Sequence, residues 1–255
     1  VSAALLDACY RGLEPFTRMF GGASGSQLIE NDGAVTSVVP AIPQAAIFNA
    51  TIFDRARPEV LDAALTSAAS AYAAAAVSAW GVWIVDGEDA AESIAIDHGL
   101  SIDSTPLAMG AELSALDVSA DTSGVVERWD IAAAATLNEL GYRVPAGLFT
   151  AVGEVARPEG ARCFIAEIGG DAAASVVTFA NGDDCGVYWV ATHPTVQRQG
   201  LARAVVTAAL RAAIDDGFKT TTLQATRPGA PLYTRLGYED LGRTINLWQR
   251  REVSG

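Results

Sequence analysis

Apolar residues along the chain keep two spacings, one of helices and one of strands, and turn residues mark where one gives way to the other. The first ~20 residues carry a helical pattern that ends at Gly21-Gly22. Gln27–Gly33 has the composition of a strand and a turn. Val35–Val39 and Ala45–Phe53 are expected as strands on either side of the Pro40/Pro43 segment. An Ala-rich helix from Leu61 to about Ser78 precedes a strand, Trp80–Val85, stopped by Asp86-Gly87. Glu92–His98 is expected as a helix with Gly99 after it, and Met109–Leu116 fits either period. Further on, Trp129–Leu140 is an amphipathic helix stopped by Gly141. Three strands then follow in series, Arg162–Ile168, Ala172–Ala180 and Cys185–Thr192. They are joined by Gly169-Gly170-Asp171 and by the hairpin signal Asn181-Gly182. A helix from Gly200 to about Asp216, a strand Thr220–Ala225, a short helix Pro231–Leu236 and a strand Thr244–Arg250 complete the pattern.

The polar, turn-rich run Asp117–Gly124 divides the chain into segments 1–120 and 126–255. Both hold strand pairs followed by helices, as a duplicated ancestor would. Charge supports the division, since residues 1–125 carry −12 of the net −13 and residues 126–255 only −1. So acidic a chain argues against a nucleic-acid partner, which needs clustered Lys and Arg. The uncharged stretch Ala63–Val85 has the length of a membrane span but is dominated by Ala, Ser and Thr, and no Lys or Arg flanks it. No membrane association is expected. The start, VSAALLDACYRG, has no basic region and too short an apolar run for a signal peptide. Cys9, Cys163 and Cys185 are neither a disulfide framework nor a metal motif, and two histidines are too few for a His-rich zinc site. The expectation is a cytoplasmic protein without a metal.

Chemistry concentrates in Val190–Arg203. An apolar strand ends at Thr192, the chain passes His193 and Pro194, and Gln197-Arg198-Gln199-Gly200-Leu201-Ala202 opens a helix. The first N–H groups of a helix lack intrahelical partners and lie at the positive end of its dipole, so they receive anions. Gly200 and Ala202 leave room for a phosphate, and Arg198 and Arg203 can add charge. An ordinary helix start beside a glycine has the same six residues.

This stretch resembles motif A of the GNAT superfamily of N-acetyltransferases, Gln/Arg-x-x-Gly-x-Gly/Ala, here Gln197-x-x-Gly200-x-Ala202. Leu223–Tyr238, with Leu232-Tyr233 and Leu236-Gly237-Tyr238, resembles the strand and "LYxxLGF" block that follows it in that family. The resemblance covers about residues 126–255. Looser marks, Trp80–Trp83, Ile96–Leu100 and Pro106–Leu113, resemble the degenerate first half of tandem members.

The resemblance implies an α/β (α+β) fold of two GNAT-like, mixed, mostly antiparallel sheets flanked by helices. It implies acetyl-CoA as co-substrate, with its pyrophosphate on Arg198, Gln199, Gly200, Leu201, Ala202 and Arg203. Its pantetheine arm would run along Val190, Ala191 and Thr192, where a backbone N–H polarises the thioester carbonyl. It implies direct attack by a primary amine of a small molecule or aminoacyl acceptor, with Tyr233 protonating the leaving thiolate.

Two features depart from the family pattern. An Asn common after the fifth strand is absent, with Thr226 the nearest polar residue, and no Asp or Glu lies in Gly186–Thr192. Tyr188, His193, water or no base at all then remain for deprotonation, and Asp183 and Asp184 read as turn residues. The first segment is expected to shape the acceptor site, its charge drawing cationic, polyamine-like amines by field. A homodimer is compatible with the chain. A non-catalytic acyl-CoA sensor and an acidic interaction module are the competing readings on the same fold.

Overall fold

A computed structural model of the chain describes residues 3–251. The order of elements is α1 (Ala3–Arg11), α2 (Leu13–Gly21), β1 (Gln27–Asn31), β2 (Ala34–Val38), β3 (Ala50–Phe53), α3 (Val60–Ala74), β4 (Ala79–Val85), α4 (Asp89–Asp97), β5 (Ser101–Ser104), β6 (Leu107–Glu112) and β7 (Val125–Glu127). It continues with α5 (Ile131–Tyr142), β8 (Arg162–Ile168), β9 (Asp171–Asn181), β10 (Asp184–Thr192), α6 (Leu201–Asp215), β11 (Thr220–Ala225), α7 (Ala230–Leu236) and β12 (Glu239–Arg251).

The fold is mixed α/β, as the resemblance implies, but the two expected sheets are joined. Strand pairing runs β1-β2-β3-β4-β12-β6-β11-β10-β9-β8-β7, with β5 on the side of β12. The pairs β3/β4 and β10/β11 are parallel, and the others are antiparallel. The joint is an exchange of strands. β6, from before Asp117, lies along β11 in register from Glu112↔Thr220 to Leu107↔Ala225. β12, from the chain's end, pairs first with β6 and then with β4, from Ile245↔Val85 to Arg251↔Ala79. Gly81 permits that last pairing, because a Cβ there would lie 2.0 Å from the Trp248 carbonyl oxygen. One apolar core runs from α2, α3 and β4 across to Phe149, Phe179 and Tyr188, and a second packs α6 and α7 on the neighbouring strands.

Several elements differ from expectation for local reasons. The first helix breaks at Gly12, where an added Cβ would meet the Tyr188 hydroxyl at 2.7 Å. Only Ala50–Phe53 of the expected Ala45–Phe53 strand is extended. The buried Asn49 amide organises the preceding turns, accepting from Val39 N at 2.7 Å and donating to the Ile42 and Ala45 carbonyls. α5, capped by the Asp130 carboxylate on Ala133 N, runs through Gly141 and ends at the left-handed Arg143. Gly141 lies inside the helix rather than ending it, facing Ala191 on β10 at a distance where a Cβ would make an ordinary contact of 3.7 Å. The β9–β10 turn is Gly182-Asp183, one residue later than Asn181-Gly182, with Asn181 paired to Asp184 and Gly182 at φ 61°.

Candidate active site

The site begins where two parallel strands part. β10 and β11 pair only over Asp184↔Thr220, Cys185↔Thr221 and Gly186↔Thr222. Asp184 holds that base. Its buried carboxylate accepts from the Thr220 and Thr222 hydroxyls at 2.7 and 2.6 Å. Burial pushes the Asp184 carboxyl up, with the two threonines working against the rise. Asp184 is therefore a clamp inside the sheet, not a turn residue like Asp183.

Beyond Gly186, β10 stays with β9 while β11 stays with β6, and a cavity of about 1370 Å³ opens between them. That exceeds the roughly 300–1,000 Å³ common for small-ligand sites and is of a size for a nucleotide-bearing co-substrate plus an acceptor. Along its β10 wall the register shifts between Tyr188 and Ala191, so one residue is extra. Trp189 sits at φ 50° in this bulge, a conformation strained for a large side chain. Its surroundings hold it there. The Trp189 carbonyl accepts from Ser175 Oγ at 3.2 Å and Asn138 Nδ2 at 3.3 Å. Its ring packs among Phe16, Phe20, Phe48 and Phe149. A bulge turns backbone groups out of the ladder.

The loop into α6 is the second element. Arg198 (φ 64°) and Gly200 (φ 85°) are both left-handed. α6 has no side-chain cap and no acidic residue in its first turn. Its leading N–H groups therefore face outward without a built-in carboxylate, as anion binding requires. Arg203 is held by Asp117 at 2.6 Å, while its Nε is buried without a partner. Val190, Ala191, Thr192, Arg198, Gly200, Leu201, Ala202, Arg203 and Tyr233 all line the cavity, whereas Gln199 does not. Gln197 lines it too and reaches the Thr192 carbonyl at 3.5 Å.

Tyr233 is buried on α7, its ring edge-on to Tyr238 at 5.8 Å. Burial pushes its phenol well up, and Tyr142 nearby adds to the rise, so Tyr233 keeps its proton at neutral pH. Thr226 also lines the cavity, and its hydroxyl accepts from Gly229 N at 3.3 Å ahead of α7. Of the candidate bases, Tyr188 is buried with its hydroxyl unpartnered, and burial holds its phenol far above the usual range. His193 instead caps the turn Pro194–Val196 through Thr195. It does not line the cavity, and no Asp, Glu, Lys or His among the described residues does.

Some of the site escaped sequence reasoning. Tyr142 at the end of α5 lines the cavity, as do Leu13, Phe16, Ile47 and Trp83 from the first segment. Glu139 was also missed. It is buried and accepts from Gly147 N, Phe149 N and Thr150 N at 2.6–2.9 Å, anchoring the loop that lays Phe149 on Trp189.

Comparison with known proteins follows this geometry. Residues 159–240 match the acetyltransferase (GNAT) domain model. No curated protein matches the chain in sequence. Among solved structures, the chain resembles a GCN5-related N-acetyltransferase from Kribbella flavida, at 19% identity and TM-score 0.65, covering 100% of this chain and 97% of that one. It also resembles a tandem GNAT protein from the clavulanic acid biosynthesis pathway, at 12% identity and TM-score 0.60, covering 98% and 94%. A GCN5-related N-acetyltransferase from Sphaerobacter thermophilus aligns at 16% identity and TM-score 0.57, covering 98% and 91%. At these identities the likeness concerns the fold. Among the described residues no helix is long and apolar enough to cross a membrane, and no group of His, Cys, Asp or Glu is placed to hold a metal ion.

Proposed function

We propose, for a chain whose residues 159–240 match the acetyltransferase (GNAT) domain model, an N-acetyltransferase that uses acetyl-CoA and acts on a primary amine by direct transfer. The observation that carries this reading is the junction itself. A parallel strand pair splays beside a bulged Trp189, and the cavity so formed reaches both the uncapped start of α6 and Tyr233. The residues present fit the co-substrate. Arg198, Gly200, Leu201 and Ala202 offer backbone N–H groups and room for a pyrophosphate, and Arg203 keeps an unsatisfied buried Nε. Val190, Ala191 and Thr192 offer a strand edge for an amide-bearing arm. When bound, acetyl-CoA supplies an activated acetyl group as a thioester. The backbone N–H groups at the bulge stabilise charge developing on its carbonyl oxygen. Tyr233, protonated at neutral pH, stands as the acid for the departing thiolate. With no carboxylate or histidine on the cavity wall, the amine must arrive neutral, so turnover rises with pH toward the amine's own pKa.

The test is Tyr233→Phe. Loss of an acid group lowers kcat about 10²–10⁴-fold, while the melting shift produced by acetyl-CoA persists. Unchanged kcat would remove Tyr233 from the reaction. Folded wild-type protein that acetyl-CoA does not stabilise would end the reading.

A further inference from the structure

The walls of the cavity differ in chemistry. Among the described residues, the guanidinium groups of Arg143, Arg198, Arg227 and Arg235 make no hydrogen bond or ion pair with the rest of the chain, and all but Arg143 line this cavity. Leaving arginines unpaired in a chain of net charge −13 marks that end for anions. The wall contributed by the first segment and the bulge is apolar. Leu13, Phe16, Ile47 and Trp83 face it alongside Tyr188 and Trp189, and the Phe16 and Tyr188 rings stack at 5.9 Å. The Tyr188 hydroxyl is itself buried, turned toward Gly12, whose missing Cβ would lie 2.7 Å away.

From this we infer that the acceptor is an amine carried on an apolar body of aromatic size, with no second cationic centre. The inference rests on the acetyltransferase reading for the reaction, but its argument concerns the cavity alone. A di- or polyamine needs carboxylates or other anions to replace the water it loses, because a desolvated charge without a partner is strongly disfavoured. None lines the cavity. Five acidic groups of the first segment are held by its own arginines, Asp32 and Asp54 by Arg57, Glu14 and Glu30 by Arg18, and Glu88 by Arg55. The segment's remaining negative charge acts at a distance and supplies no contact to a desolvated cation, since none of its carboxylates lines the cavity. Rings and aliphatic side chains instead match an apolar body.

Binding measured without acetyl-CoA tests this independently of the reaction. The probes are 2-phenylethylamine and 1,4-diaminobutane, followed by calorimetry and by tryptophan fluorescence, since Trp83 and Trp189 both face the cavity. The expected result is a Kd for phenylethylamine at least about tenfold lower than for the diamine, the scale set by burying or omitting a few apolar groups. Ile47→Asp adds a carboxylate at a position 37% exposed, and the ratio should then shrink at least about fivefold toward the diamine. Tighter or equal binding of the diamine by wild-type protein would overturn the inference. Binding of neither amine by protein that acetyl-CoA does stabilise would overturn it too. If acetyl-CoA fails to stabilise the protein while phenylethylamine still binds in the expected ratio, the acetyltransferase reading falls and the inference about the cavity stands.

Discussion

Glu139 allows charge to be separated from shape. In Glu139→Gln the side chain keeps its volume, but one carboxylate oxygen becomes an NH2 group. In the native site Oε1 accepts from Phe149 N at 2.6 Å, Thr150 N at 2.9 Å and the Thr150 hydroxyl at 3.2 Å, and Oε2 accepts from Gly147 N at 2.9 Å. The amide oxygen of Gln can hold the three-donor position. Its NH2 then faces the Gly147 N–H, donor against donor. Loss of one hydrogen bond to a buried charge, with weakening of the other three, costs about 2–4 kcal/mol. For a chain of this size that lowers Tm by roughly 5–12 °C.

The pH dependence makes the prediction specific. Burial alone would raise the Glu139 carboxyl, but donors from Thr150, Gly147 and Phe149 outweigh it and hold the group below the ordinary glutamate value. A carboxyl depressed in the folded state adds stability that is fully present above its unfolded pKa, about 4.3. That stability disappears as pH falls through the lower folded value. Urea unfolding of both proteins, followed by circular dichroism, should therefore show a constant gap above about pH 6 that narrows below about pH 4. A gap under about 0.5 kcal/mol at neutral pH, or one that is undiminished once the carboxyl is protonated, would refute the reasoning.

Three further outcomes follow from the fold. Gly81→Ala would place a Cβ 2.0 Å from the Trp248 carbonyl oxygen, so β12 must leave β4; soluble yield should collapse, and wild-type melting would show the pairing to be unnecessary. The fragment 126–255 lacks β6 and β4, leaving the edge of β11 and the second half of β12 unpaired, and should self-associate rather than sediment as a folded monomer. Cys9, Cys163 and Cys185 are buried, and burial raises their thiols to about 12, 11 and 12; an aromatic disulfide reagent should find no reactive thiol in native protein at neutral pH and three after denaturation.

The strands and helices around the site were readable because their signals are local. Arg162–Ile168 and Thr220–Ala225 form as the alternation predicts. Gly200 is left-handed before α6, where its place after an apolar strand called for a helix start. Partners were not readable. Alternation along Leu107–Glu112 is the same whichever strand lies beside it, so nothing local says that it completes a sheet begun after Asp117. Glu139 reads as one more acid on a helix until the 143–153 loop folds over it. Gln199 shows the opposite limit. It lies inside the motif, but a motif of small residues specifies backbone path, and the side chain between them is free to face away. Gly141 misled for a related reason, since a glycine inside a helix and one that ends a helix look alike in one sequence.

The exchange of β6 and β12 bears on how the cavity works. Its apolar wall comes from Leu13 to Trp83 and its arginine-rich wall from Arg198 to Arg235, so admission of two substrates would ordinarily invite a hinge between the segments. Here two strands cross the divide in opposite directions. β12 is bonded to β6 through its first part and to β4 through its second. Opening a hinge would shear one or both ladders, each a run of backbone bonds whose rupture in a buried sheet leaves unsatisfied groups. The walls are therefore fixed relative to each other, and access must come from the chain segments between elements. One of them borders the cavity, the Thr226–Gly229 turn before α7. A cavity with fixed walls suits discrimination by shape. It also explains why an acceptor wall can be built from side chains as large as Phe16 and Trp83, with no conformational closure needed to bring them into place.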